Sequence, residues 1–368
     1  MALAPPRRPR PLGVVAFIYG LALNELPFLV FYYLVLSTLL AAAQSNIDSP
    51  AGWIGMALSI LTVAGLVLVA VRALRAGPVL DRALAEGLGT GVLGTGVLGT
   101  GRLPLARIVF APFLMRRRDV ERIANISYGD AGVRNRLDVY RQRAHPAGQA
   151  GSPVFVHLHG GMLMRGRKNR EALPLLYRLA SQGWVCISAN YRLRPSAHFP
   201  DHLIDAKKVI AWVRAHGTEF GADPDVLILA GTSSGGQLAA LAAFTQNDPR
   251  YQPGFEHADT SVSAVVYLSG YYGSDEQSPW SPLAYDATDA PPFFVVHGDQ
   301  DTVVPVQDAR LFVGRLRKTS PNPVIYAELP GAQHSFERFH SLRFDTLVNA
   351  VETFATWVRN SVVDARHS

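Results

Sequence analysis

From Leu12 to Ala43 the chain carries a single charge, Glu25, and from Ala51 to Val71 it carries none. The uncharged stretch Leu26–Ala43 is 18 residues long and Ala51–Val71 is 21. A bilayer core of ~30 Å asks for ~20 helical residues, so both runs predict membrane-spanning helices. Taken as one helix, Leu12–Ala43 would measure about 48 Å at ~1.5 Å per residue. Asn24, Glu25 and Pro27 therefore predict a kink or an interfacial entry segment. Gln44–Pro50 forms a short polar turn, and residues 1–76 read as a membrane anchor built as a helical hairpin. A cleaved signal peptide ending near Ala41–Ala43 is a competing reading, opposed by a run far longer than a 7–15-residue signal core. Two buried core helices are another.

Near residue 119 the pattern changes. Short apolar runs bounded by turn residues begin to alternate with helix-like stretches, the mark of a mainly parallel α/β sheet. Ile123–Tyr128 and Arg136–Arg141 predict an antiparallel opening pair. Val154–His159, Val185–Asn190, Val226–Ala230, Val262–Ser269, Phe293–His297 and Val324–Leu329 complete about eight strands. Helices are predicted near Arg170–Ser181, Leu203–His216, Gly236–Thr245, Val306–Lys318 and Ser341–Asn360. Residues 119–368 thus read as one α/β domain with helices on both faces of the sheet. Residues 77–118 read as a Gly-rich linker or a segment contributing to a cap. Their repeat GTGVLGTGVLGTG (Gly89–Gly101) lacks the strand and GK[ST] of a phosphate loop.

Composition sharpens this picture. Of 368 residues, 48% are apolar and only 17% charged, against a usual ~25%, which excludes a disordered polar chain. The lone cysteine, Cys186 in the strand WVCISAN, excludes an intrachain disulfide and a Cys-rich zinc site; it reads as an apolar filler. Residues 1–118 hold eleven arginines against four acids, and the rest is near neutral with 24 bases and 25 acids. The basicity flanks the apolar runs, which fits a membrane surface and not nucleic acid. Arg7, Arg8 and Arg10 precede the first run, Arg72 and Arg75 follow the second, and the turn holds only Asp48. The positive-inside rule puts both ends of the hairpin, and the α/β domain, in the cytoplasm. Arg116–Arg118 are either solvated or seated on anionic headgroups.

Four motifs carry chemistry. Gly231-Thr232-Ser233-Ser234-Gly235 follows the strand VLILA and precedes a helix, the context of a nucleophile elbow that exposes Ser233 above the sheet. His159-Gly160-Gly161 closes the strand VFVHLH. Its glycines let backbone N–H groups approach a developing oxyanion, so Gly160, Gly161 and Ser234 are the expected donors, with His159 a structural anchor. His297-Gly298-Asp299-Gln300-Asp301 ends a strand with two acids. Asp301 is preferred over Asp299 as partner of a histidine, because a turn Asp next to Gly often only caps backbone. Gln333-His334-Ser335-Phe336 follows the last strand. Ser233, Asp301 and His334 occur in the chain order serine, acid, histidine.

With Asn190–Pro195, Phe199-Pro200 and Asp205 added, these residues resemble the hormone-sensitive-lipase-like carboxylesterases of the α/β-hydrolase superfamily. The likeness runs from about Ile123 to the C-terminus, and is similar in particular to bacterial lipase/esterases with hydrophobic N-terminal segments. Met162 and Thr232 depart from the family's common Gly or aromatic and acidic residues. The resemblance implies an α/β-hydrolase fold and a serine esterase or lipase acting on an ester or lipid substrate. Ser233, Asp301 and His334 would be catalytic; no metal or organic cofactor is expected. An amidase of the arylformamidase kind and a non-catalytic membrane-bound binding protein are the alternatives. Tyr191-Arg192 after a strand is expected to be structural, pairing with Asp205 or a carbonyl beneath the site loops, and Tyr271–Pro292 to form at most a small cap.

Overall fold

Alternation of two apolar faces builds the sheet. The structure, a computed structural model, describes residues 10–44, 49–90, 103–143, 151–273 and 277–367. Arg7, Arg8, Asp48 and residues 91–101 of the glycine repeat lie outside the described residues. Eight strands form one sheet: β1 (Val120–Ser127), β2 (Arg136–Gln142), β3 (Ser152–Leu158), β4 (Val185–Ala189), β5 (Ala222–Thr232), β6 (Ala264–Leu268), β7 (Phe293–Gly298) and β8 (Val324–Leu329). Their spatial order is β1-β2-β4-β3-β5-β6-β7-β8. β2 runs antiparallel to both β1 and β4, and every other pairing is parallel. In β5, Leu227 and Leu229 face one core while Ile228 and Ala230 face the other, as period-two side chains buried on both sides of a parallel sheet must.

Ten helices are described, five ahead of the sheet: α1 (Arg10–Glu25), α2 (Pro27–Ala43), α3 (Pro50–Leu74), α4 (Ala76–Leu88) and α5 (Leu105–Phe110). The others are α6 (Leu173–Ser181), α7 (Asp201–His216), α8 (Ser234–Phe244), α9 (Val306–Thr319) and α10 (Leu342–His367). One face of the sheet is covered by α7, α8 and α9. The other is covered by α6, α10 and α4.

The N-terminal third differs from its sequence reading in two ways. First, α4 is part of the core and not of a linker: Ala76, Leu80, Ala83 and Leu84 are buried, and a Cβ on Gly87 would lie 2.5 Å from Ile325 Cγ1 of β8. Second, α1 does not belong to an anchor separate from the α/β domain. Pro27 has no N–H and its ring excludes the preceding carbonyls. Leu26 accordingly leaves the helical region at φ −123°, ψ 42°, and α1 meets α2 at a bend of 88°. The inner face of α1 (Gly13, Ala16, Gly20 and Asn24) is buried against the domain. Its terminal Glu25 forms a fully buried ion pair with Arg343 of α10 and accepts a hydrogen bond from Ser341 Oγ at 2.7 Å. A buried charge costs several kcal/mol unless paired, and this pair is the physical reason the lone acid of the apolar run sits on the domain.

Among the described residues, the helical stretch Pro50–Leu88 is long and apolar enough to cross a membrane. Its first half is exposed, with Trp53, Ile54, Leu58 and Leu61 facing outward. Toward its end Leu66, Val69 and Ala73 are buried, and Arg72 pairs with Asp299 at 3.0 Å.

Candidate active site

The loops after β5, β7 and β8 bring three side chains together. Ser233 occupies the turn between β5 and α8 at φ +54°, ψ −121°, a strained geometry for a residue with a Cβ. The turn closes because its neighbours lack one. A Cβ on Gly231 would lie 2.2 Å from the Gly235 carbonyl oxygen, and one on Gly235 2.1 Å from that of Leu158. His334 Nε2 lies 3.0 Å from Ser233 Oγ, and its Nδ1 lies 2.7 Å from Asp301 Oδ2. An ionised carboxylate only accepts, so Nδ1–H donates to Asp301 and Nε2 is left to accept the Ser233 hydroxyl.

Asp301 is built to stay charged. It is fully buried, its Oδ1 accepts the N–H groups of Val303 and Val304, both at 2.8 Å, and His297 Nε2 lies 3.3 Å from its Oδ2. Burial pushes its carboxyl up, but the charges and hydrogen bonds of His334 and His297 outweigh burial and hold it below the usual carboxylate range. For His334, burial alone would lower the imidazole. The Asp301 charge and hydrogen bond, then the charges of Glu337 and Glu171, outweigh it and leave the ring above its ordinary 6.5. Asp299 goes elsewhere: it accepts the Gly331 N–H at 2.7 Å and pairs with Arg72.

Of the three expected oxyanion donors, one is engaged. Gly160 N–H donates to Glu171 Oε2 at 2.6 Å, so it points at a buried carboxylate and not at an incoming oxygen. The N–H groups of Gly161 and Ser234 have no hydrogen-bond acceptor among the described residues. Gly161 sits at φ +121°, where a Cβ would fall 2.0 Å from the Arg165 carbonyl oxygen. His159 anchors this loop: its ring stacks on Tyr191 at 4.4 Å, its Nδ1 bonds the Gly160 carbonyl at 2.7 Å, and its carbonyl accepts Tyr191 OH at 2.6 Å. Beneath it, Arg192 pairs with buried Asp205 at 2.8 Å and also donates to the Asp201 carbonyl at 3.1 Å, so both kinds of partner left open by the sequence are used. Cys186 is fully buried, and burial pushes its thiol well up.

Glu171 and Glu337 had no motif to reveal them. Glu171 is the one acid among residues 151–200, an isolated charge that was the available signal. Its Oε1 also accepts Arg338 Nη2 at 3.2 Å. Both carboxyl oxygens of Glu337 are buried with no hydrogen-bond partner among the described residues. Burial, then the neighbouring Glu171 charge, raises its pKa. The α1 helix completes the surroundings. Phe17 meets the His334 ring edge-on with centroids 6.2 Å apart, and Thr302 Oγ1 donates to the Gly13 carbonyl at 3.1 Å.

The BD-FAE family model matches residues 137–274. LipM of Mycobacterium tuberculosis, named a probable carboxylic ester hydrolase, is 43% identical over 265 residues, covering 64% of this chain and 61% of its own. Esterase LipQ of the same organism is 36% identical, covering 65% and 63%. Esterase LipC of that organism is 38% identical over 277 residues, covering 67% of this chain and 68% of its own. The chain thus spans a little under or over two thirds of these relatives. Esterase 2 of Thermogutta terrifontis, in a form phosphoramylated by tabun, has a TM-score of 0.57 at 23% identity, covering 66% of this chain and 96% of that one.

Proposed function

Since the chain belongs to the carboxylesterases of the α/β-hydrolase superfamily, we propose that it hydrolyses carboxylic esters through an acyl-enzyme on Ser233. The hydrogen-bonded line from Ser233 through His334 to Asp301 carries this reading. Ser233 Oγ attacks the ester carbonyl while His334 Nε2 takes its proton. Asp301 holds the ring in the productive tautomer and stabilises the imidazolium. Gly161 and Ser234 N–H groups receive the oxyanion. His334 then gives its proton to the departing alcohol, and a water activated by the same ring releases the acid. Turnover of p-nitrophenyl acyl esters exceeding that of aryl formamides is the expected result; the reverse preference would make the enzyme an amidase.

Two measurements probe the site. The reaction needs neutral His334, whose pKa lies above 6.5. On acidification kcat/KM should therefore fall with a slope of one through a pKa above 6.5, since that ratio reports the free enzyme. A flat profile down to pH ~5 would remove His334 as the base. Glu171→Ala strips the acceptor from the Gly160 N–H and frees the oxyanion loop. A misplacement of about 1 Å costs about 10²-fold in rate, and kcat should fall by about that much with KM little changed.

By the same reading α2 and α3 cross a bilayer as a hairpin, while α1 and α4 stay with the catalytic domain, which lies in the cytoplasm. The outward apolar faces of both helices and the basic residues at the hairpin's ends support this. The enzyme should stay with membranes after high-salt and carbonate washes, and recovery of the intact chain in the wash would overturn the anchor.

A further inference from the structure

Helix α1 is apolar on both sides. Its inner face packs on the domain, while Leu12, Val14, Val15, Ile18 and Tyr19 on its outer face are 38–59% exposed. A helix hydrophobic all round is normally buried all round, so the outer face calls for a cover. The bend supplies a direction: α1 lies 88° from α2. With α2 along the membrane normal, α1 runs in the membrane plane, the posture of an interfacial helix.

The catalytic loops meet that plane. The Phe17 and Gly13 contacts of α1 fall on His334 and Thr302. Arg72, near the end of α3, pairs with Asp299 in the loop after β7, so the hairpin leaves the domain at the rim of the site. On the loop carrying Gly160 and Gly161, Met162 and Met164 are 56% and 57% exposed. Arg165, Arg167 and Arg170, also exposed, follow them. Exposed thioethers beside exposed guanidinium groups suit acyl chains beside anionic headgroups.

We propose that α1 and the Met162–Arg170 loop rest together on the bilayer surface, and that the site between them takes its ester from the leaflet, as an amphiphile with its acyl chain in the membrane. This rests on the ester-hydrolase reading and adds the source of the substrate.

The test uses the full chain reconstituted in phosphatidylcholine vesicles, with and without phosphatidylglycerol. The probes are water-soluble p-nitrophenyl butyrate and p-nitrophenyl palmitate dissolved in the vesicles. Val14→Asp with Ile18→Asp, and separately Arg165→Glu with Arg167→Glu, leave the hairpin in place. Each pair should cut palmitate hydrolysis by roughly tenfold and butyrate hydrolysis by less than about twofold. Phosphatidylglycerol should speed the palmitate reaction of the wild type and not that of the arginine variant. Equal effects on both esters, or none, would overturn the proposal. So would a loss of both with a change of oligomeric state, which would give the face to a second copy. Failure of the wild type on both esters would bring down the hydrolase reading itself.

A binding readout stands apart from turnover. Cys186 is buried, so Tyr19→Cys can be labelled selectively with an environment-sensitive dye. Quenching of that dye by lipids brominated in the acyl chain is expected, and emission indifferent to them would overturn the proposal.

Discussion

Ser233→Ala is expected to lower kcat for p-nitrophenyl butyrate by roughly 10⁶-fold and to abolish covalent labelling by a fluorophosphonate. His334→Ala should cost about as much, and the double variant little more, because nucleophile and base act as one unit. The serine variant isolates the chemistry well. Its Cβ is unchanged, so the strain at φ +54° is the same before and after. The hydroxyl it removes faces His334 Nε2, and Asp301 keeps its bonds to the Val303 and Val304 N–H groups. Circular dichroism should be unaltered. Fluorophosphonate labelling that survives in Ser233→Ala would place the nucleophile elsewhere.

The second large effect separates two neighbouring acids. Asp301→Asn should reduce kcat by about 10⁴-fold, because an amide can donate to Nδ1 and so favours the tautomer with its proton on Nε2, where it blocks the serine. Asp299→Asn keeps an oxygen for the Gly331 N–H and weakens the partly exposed pair with Arg72. Such pairs are worth about 0–1 kcal/mol, so kcat should change by less than about tenfold. A larger loss in Asp299→Asn than in Asp301→Asn would reverse the assignment.

Strand alternation is local, and so the sheet could be read from the chain: each of the eight predicted strands overlaps an observed one. The elbow was legible for the same reason, since its glycines and serine are contiguous. Helix α4 was hidden by its own composition. Gly77, Pro78 and Gly87 look like linker residues, although Ala76, Leu80, Ala83 and Leu84 repeat with helical spacing. The docking of α1 could not be read locally, because Glu25 finds Arg343 318 residues away. The loop after β3 was legible as a glycine pair, Gly160 and Gly161. Which N–H stays available depends on where Glu171 comes to rest, eleven residues on, and spacing does not encode that.

The Glu25–Arg343 pair also sets an order of events during synthesis. Chains emerge from the ribosome at about 5–20 residues per second, N-terminal segments first. Residues 10–25 are therefore made long before their seat on Ser341 and Arg343, which emerges more than 300 residues later. Until then Glu25 has no guanidinium to meet, and His334 has no Phe17 beside it. A ribosome stalled before residue 341 would hold a chain with Ser233 already translated and α1 still undocked. The surroundings of His334 are thus completed by α1 closing on a segment made more than 300 residues after it, and stalled nascent chains should show residues 10–25 open to protease until α10 is released.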